Sequence, residues 1–382
     1  MAETPKSPTD AVENPFPSKA RAADLDENGY LFHRFEPLEF TGTAWNYFKI
    51  YFINIFLTLL TLGLYVPWAR VRRRRYFYSN TRILGDGIDY LATGFDLLKG
   101  WLLVLAGLAC FYALPFFDFG FAYAEAIFLV AVLFAYPWAM NKSLQFNARN
   151  IVWRDVRFTW HGSYWGVAAN LFIAPLVGLL TLGLLLPLAS RMMRHYIAKN
   201  YSFGSKRFEV TTNLWDFYKA GLKTVMLCLG IAFMIIMPLD LIYVNANSTL
   251  EQLDMNSHQF WIITIFVLQL LIVGLFLVTT SFYRAQTRNI MTNGLRLDNN
   301  IRFRSELSGL RLAWIVLQNA VLIVFSFSLL LPWAHVRYYR YLTENTYIRP
   351  YNDMTQFVDD EINAGHSIGD AVSEAAGLEI AL

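Results

Sequence analysis

Apolar and polar positions fall in long blocks along this chain. Low-charge runs occupy Ile50–Val66, Trp101–Phe117, Phe121–Ala139, Val167–Leu188, Thr224–Leu239, Phe260–Ser281 and Leu312–Leu331. Each is close to the roughly 17–25 residues that a bilayer-crossing helix needs. They are of two kinds. One kind, A, runs into Pro67, Pro187 or Pro332 and carries a small hydroxyl residue six positions earlier (Thr61, Thr181, Ser326) and another small residue four earlier (Gly63, Gly183, Ser328). The other kind, B, comes as close pairs, so the order is A, B, A, B, A.

The linkers repeat as well. The same thirteen-residue interval separates Pro67 from Asn80, Pro137 from Asn150, Pro187 from Asn200 and Pro332 from Asn345, with an aromatic nine residues after each proline (Tyr76, Phe146, Tyr196, Tyr341). Four occurrences at one spacing argue for internal duplication. Each linker reads as a basic helix followed by a short hairpin, as in Ile83-Leu84 and Ile88-Asp89-Tyr90 around Gly85-Asp86-Gly87. The expected fold is an all-α polytopic membrane protein built from internal repeats (A-B-A-B-A), with short β-hairpins and basic amphipathic helices in the cytoplasmic linkers. Residues 1–37, polar and rich in proline, are expected to be a disordered arm without a signal peptide. Residues 38–352 then form the transmembrane domain, and 353–382 an acidic tail with one short helix.

Composition supports the membrane class: 55% hydrophobic and 16% aromatic residues against 16% charged depart far from a soluble average. The formal net charge is only +3, and its basic residues cluster in linkers 67–100, 140–163, 189–221 and 283–310, while the loops inside the B pairs hold none. The positive-inside rule then places all four linkers in the cytoplasm. Simple alternation of seven crossings contradicts this, so each A segment is expected to enter and leave on one face, kinked or re-entrant, with Thr61, Gly63, Thr181, Gly183, Ser326 and Ser328 as hinges. The rival is an inverted repeat. Hairpins that all face one way can also meet in a shared sheet and cover their edges.

The words Phe40-Thr41-Gly42, Asn54, Thr61-Leu62-Gly63-Leu64-Tyr65, Pro67-Trp68-Ala69, Arg70-Val71-Arg72, Tyr76-Phe77-Tyr78 and Asn80-Thr81 resemble the YjgN-type family of bacterial inner-membrane proteins of unknown function. Pro332-Trp333-Ala334-His335-Val336-Arg337 echoes them, whereas Pro187-Leu188-Ala189 departs from the tryptophan form. The resemblance implies an inner-membrane, multi-pass protein and supplies no catalytic residues.

Candidate chemistry is sparse. No ionisable residue lies deep in the apolar runs, as proton or ion coupling requires, and the histidines show no metal spacing. Neither GxSxG, a P-loop nor a dinucleotide fingerprint occurs, so no catalytic, cofactor-binding or metal site is expected, and no cofactor. Asn54, Asn170 and Asn319 early in the A segments are candidate polar intramembrane positions, either helix-to-helix glue or the lining of a pocket. Arg70, Arg72, Arg73, Arg74, Arg75, Arg191, Arg194 and Arg337 are candidate contacts to anionic headgroups on the cytoplasmic side or to a membrane protein partner, and also topology anchors. Trp68, Trp138 and Trp333 mark the interface. Nucleic acid is not implied. Two functions follow: a lipid-interacting or partner-binding membrane scaffold, and, as the alternative, a passive or uncoupled transporter for a small solute or lipid.

Overall fold

The computed structural model describes residues 35–113, 121–244, 257–298, 301–350 and 357–363; most of the N-terminal arm and of the acidic tail lies outside them. Its strands are β1 (Glu36–Pro37), β2 (Glu39–Phe40), β3 (Thr81–Ile83), β4 (Asp86–Tyr90), β5 (Ile151–Trp153), β6 (Val156–Trp160), β7 (Tyr201–Phe203), β8 (Lys206–Val210), β9 (Leu295–Leu297), β10 (Ile301–Ser305) and β11 (Thr346–Pro350). All belong to one 11-stranded sheet in which every pairing is antiparallel. β1 and β2 are halves of one extended stretch; β1 pairs with β11 and β2 with β3, so the sheet curls round to a nearly closed barrel. Between the halves the Leu38 N–H donates to the Thr346 carbonyl at 2.8 Å.

The all-α expectation is thereby overturned. Each linker hairpin is too short to hold alone, but laid edge to edge the hairpins satisfy one another's ladders and leave almost no free edge. Alternation along the strands does the rest. Ile88, Trp153, Val156, Phe158, Phe203, Phe208, Leu297, Ile301, Phe303 and Ile348 pack together inside, while Asp89, Arg157, Arg207 and Glu209 face outward, exposed. Eleven strands enclose more width than the roughly eight whose side chains fill a barrel. Helix 357–363 takes up the difference by adding Phe357, Val358 and Ile362 to that core. The buried Glu361 carboxylate fixes it, accepting from the Ser205 N–H at 2.6 Å and the Ser205 hydroxyl at 3.0 Å.

Apart from helix 357–363, the described helices leave one rim of the barrel. Phe40 opposite Thr81, Tyr90 opposite Ile151, Trp160 opposite Tyr201, Val210 opposite Leu295 and Ser305 opposite Thr346 lie at that rim, each pair flanking a helical excursion or its neighbour. The thirteen-residue interval has a physical cause here. Asn80, Asn150, Asn200 and Asn345 each donate Nδ2–H to the carbonyl four residues back, at 2.7, 2.8, 2.8 and 2.8 Å, capping the returning helix. Their own carbonyls accept the N–H of Thr41, Leu91, His161 and Glu306, the residues that lead out of the preceding strand. In the A units the aromatic residue of the pattern closes the base of the hairpin: the hydroxyls of Tyr76, Tyr196 and Tyr341 donate to the carbonyls of Thr43, Ser163 and Ser308, beside the start of the outgoing helix.

Four helices among the described residues are long and apolar enough to cross a membrane: Gly94–Ala113, Ala126–Asn150, Leu214–Pro238 and Trp261–Asn293. Almost none of their apolar surface is buried within the protein; Leu103, Phe134, Met234 and Phe276 are all exposed. An apolar surface on that scale requires a bilayer as its solvent.

Each A segment is a helical hairpin, not one long helix. Ala44–Leu60 turns back into Val66–Ser79, Tyr164–Leu180 into Leu186–Asn200, and Gly309–Phe325 into Leu331–Glu344. At the first turn Leu62 and Gly63 take φ of 50° and 89°, and their N–H groups donate to the carbonyls of Leu59 and Thr58, the paired bonds of a left-handed helix stop. Thr61 Oγ1 donates to the Leu57 carbonyl at 2.7 Å and accepts the Tyr65 N–H at 3.0 Å, bridging the turn. Thr181 and Ser326 accept the N–H of Leu185 and Leu330 in the same way. Backbone at membrane depth needs such internal partners, which explains a hydroxyl at that offset. Pro175 is accommodated differently, by a π-helical turn over Ala168–Ile173.

Candidate functional site

The helical layer is graded in depth. Trp68, Trp138 and Trp333 each precede the capping asparagine at the rim by twelve residues, which puts the three at one level, about 18 Å above the barrel. The A turns reach only roughly 8 Å beyond that level. Their tips are apolar and bare, with Leu62, Leu182 and Phe327 respectively 95%, 99% and 91% exposed. Between the tryptophans and the barrel rim lies the basic layer.

Within it the candidate arginines do different things. Arg70 lies over the Trp101 ring at 5.5 Å, Arg72 over Tyr65 at 5.5 Å and Arg337 over Trp333 at 5.2 Å. Arg74 is half-buried and donates to the Tyr90 hydroxyl at 3.0 Å and to Asn147 Oδ1. Arg75 donates to the carbonyls of Tyr90 and Ala92, and Arg191 to that of Thr212. Arg194 turns inward; burial, with Arg288 and Arg284 beside it, holds its pKa below the usual arginine value. Arg73 lines a cavity of about 420 Å³ between the first and last A hairpins, together with Tyr47, Asn54 and His335.

The three asparagines do not meet. Asn54 is buried in that cavity wall, its Oδ1 without a hydrogen-bond partner among the described residues. Asn319 is buried and donates to the Ala334 carbonyl at 3.1 Å, joining the two legs of its own hairpin. Asn170 is half-buried, donates to the Gly166 carbonyl of its own helix, and lines a separate cavity of about 210 Å³ with Arg191, His195 and Lys199.

His335 is half-buried, its ring 6.2 Å from that of Tyr47. Burial first, and the Arg73 charge second, hold its pKa below the ordinary 6.5. A histidine of that kind takes up a proton more readily in the unfolded chain. The stability present above the unfolded-state value is therefore lost as pH falls through it toward the folded-state value. Thermal melts in detergent are expected to show a lower midpoint at about pH 5.5 than at about pH 7.5. In His335→Gln the difference should shrink, leaving the part due to His195, whose pKa burial lowers likewise. An unchanged acid loss in that variant would show that His335 stays exposed to solvent.

Sequence reasoning counted Lys142 and Arg149 as linker charge without assigning them a place. With Trp138 and Gln145 they stand at i, i+4, i+7 and i+11 on helix 121–150, so they share one face. That face meets Val66–Ser79 and Gly94–Ala113 around a cavity of about 650 Å³, which also takes in Arg70, Arg74 and Trp101. The helical period was the available signal.

Apolar spans rooted in a packed barrel, with a basic layer between barrel and bilayer, define an integral membrane protein. Residues 35–375 match the family described as "Bacterial protein of unknown function (DUF898)", and the chain belongs to that family. It is 24% identical over 367 residues to the inner membrane protein YjgN of Salmonella typhimurium, covering 85% of this chain and 91% of that one. It is 25% identical over 329 residues to the YjgN of Escherichia coli K12, covering 75% and 79%. No solved structure matches it. With these relatives and its four candidate spans, it is an inner-membrane protein.

Proposed function

We propose that this protein is a membrane-seated scaffold whose basic layer engages anionic lipid headgroups on the cytoplasmic face. The observation that carries the reading is the depth order: bare apolar tips, then tryptophans, then Arg70–Arg75, Arg191, Arg194 and Arg337, then the barrel. Apolar tips immersed by roughly 5–10 Å with cations at headgroup depth are how interfacial anchors hold a membrane, and each cation near an anionic leaflet contributes about 1 kcal/mol. The shared asparagine caps support a duplicated A-B-A-B-A architecture, in which the A units rest in one leaflet and the B pairs cross. The barrel interior is filled with side chains, which favours the scaffold over an uncoupled pathway along the barrel axis.

The test is the thermal stability of the full chain in neutral detergent with added phosphatidylglycerol or phosphatidylcholine. Phosphatidylglycerol is expected to raise the midpoint more, and the difference to shrink in high salt as screening sets in. Equal shifts from the two lipids at low salt would refute the reading.

A further inference from the structure

The two helices of the first B pair, Gly94–Ala113 and 121–150, meet toward their outer ends, where the rings of Phe111 and Phe128 are 4.2 Å apart. Toward the barrel they separate, and helix Val66–Ser79 forms the third wall of the cavity of about 650 Å³ left between them. The walls are graded. Val66, Val104 and Trp138 stand at the interface level, Arg70 and Lys142 below them, and Arg149 next to the barrel rim.

We propose that this groove binds one anionic phospholipid, its phosphate held among Arg70, Lys142 and Arg149 and an acyl chain running up the apolar wall into the bilayer. The inference rests on the headgroup-binding reading above and narrows it to one place and one ligand class. Three observations select that ligand. Among the described residues no carboxylate pairs with Arg70, Lys142 or Arg149, so the groove presents cations whose counter-charge must come from outside. The one carboxylate among its lining residues, Asp96, already accepts from the Thr93 N–H at 3.0 Å and the Thr93 hydroxyl at 2.6 Å. A soluble phosphate would satisfy the cations but leave the apolar mouth unfilled, whereas a glycerophospholipid matches both ends. The volume lies within the roughly 300–1,000 Å³ of ordinary ligand sites, which suits a headgroup and the first part of a chain.

Arg70, Lys142 and Arg149 are all exposed, and their side chains make no hydrogen bond among the described residues that folding would need. Their neutral variants should therefore fold. Native mass spectrometry of the delipidated full chain, titrated with phosphatidylglycerol, phosphatidylcholine or inorganic phosphate, reads the outcome. One phosphatidylglycerol is expected to bind ahead of phosphatidylcholine. Lys142→Gln and Arg149→Gln should each weaken it about five-fold, the loss of one cation–headgroup interaction, while Arg207→Gln on the outer surface of the barrel leaves it unchanged. Loss of the lipid in Arg191→Gln with Lys199→Gln but not in the groove variants would overturn this site and leave the general reading standing. Indifference between the two lipids in the wild type would remove both. Displacement of phosphatidylglycerol by inorganic phosphate, with no dependence on the acyl chain, would make the groove a site for a free anion and overturn the lipid assignment.

Discussion

Replacing Phe203 by alanine is expected to cost about 3–5 kcal/mol of stability, the range for emptying an aromatic site in a well-packed core. Phe203 is 2% exposed on β7 inside the barrel. Its ring stands 5.8 Å from Trp153, edge-on at 5.1 Å from Phe158, and stacked at 6.4 Å on Phe357 of helix 357–363. One side chain thus joins two hairpins to the C-terminal helix, and such ring pairs contribute beyond the area they bury. Guanidinium melts in detergent, followed by tryptophan fluorescence, measure the loss, with Phe134→Ala on the bilayer-facing surface as the comparison. In an all-α protein Phe203 would sit in a peripheral turn and its removal would cost little. Equal midpoints for the wild type and Phe203→Ala would therefore refute the barrel as the structural core.

Gly63→Val and Gly183→Val should each lower stability by about 1–3 kcal/mol, and the double variant by nearly the sum, because the two turns are independent. The cause is backbone conformation. A Cβ on Gly63 would meet nothing within 4 Å, and one on Gly183 only Leu186 Cδ1 at 3.5 Å, so overpacking plays no part. Their φ angles of 89° and 87° lie where a β-branched residue is strained. The third turn places Ser328 at φ 69°, so Gly63→Ser should be much milder than Gly63→Val. Wild-type melting of Gly63→Val would mean that the first A segment does not turn back on itself.

The A-B-A-B-A reading rests on helical hairpins and capping asparagines, which are local devices. Their signals lie within one helix of each other: Thr61 and Gly63 before Pro67, Tyr76 and Asn80 after it. The same-face requirement on the basic linkers also came from sequence, through charge. The linker hairpins are legible in the sequence, as is the shared sheet open to hairpins on one face, but the expected class is all-α. Their weight depends on partners that sequence spacing does not reveal: β4 pairs with β5 across the whole first B pair, and β1 with β11 across nearly the entire chain.

The candidate site divides along the same line. Arg70–Arg75 and the tryptophans could be placed at a depth from helical rise alone. That Lys142 and Arg149 face Arg70 across one groove, while Asn54, Asn170 and Asn319 go to separate places, was decided by how the helices pack. Sequence by itself determined the membrane class, the turn chemistry and the common face of the linkers, because hydropathy, φ preference and charge act residue by residue. Only the tertiary structure decided that the apolar runs make four candidate spans and three helical hairpins, and that the strands curl into a nearly closed barrel, because strand pairing and helix separation are relations between residues far apart in sequence.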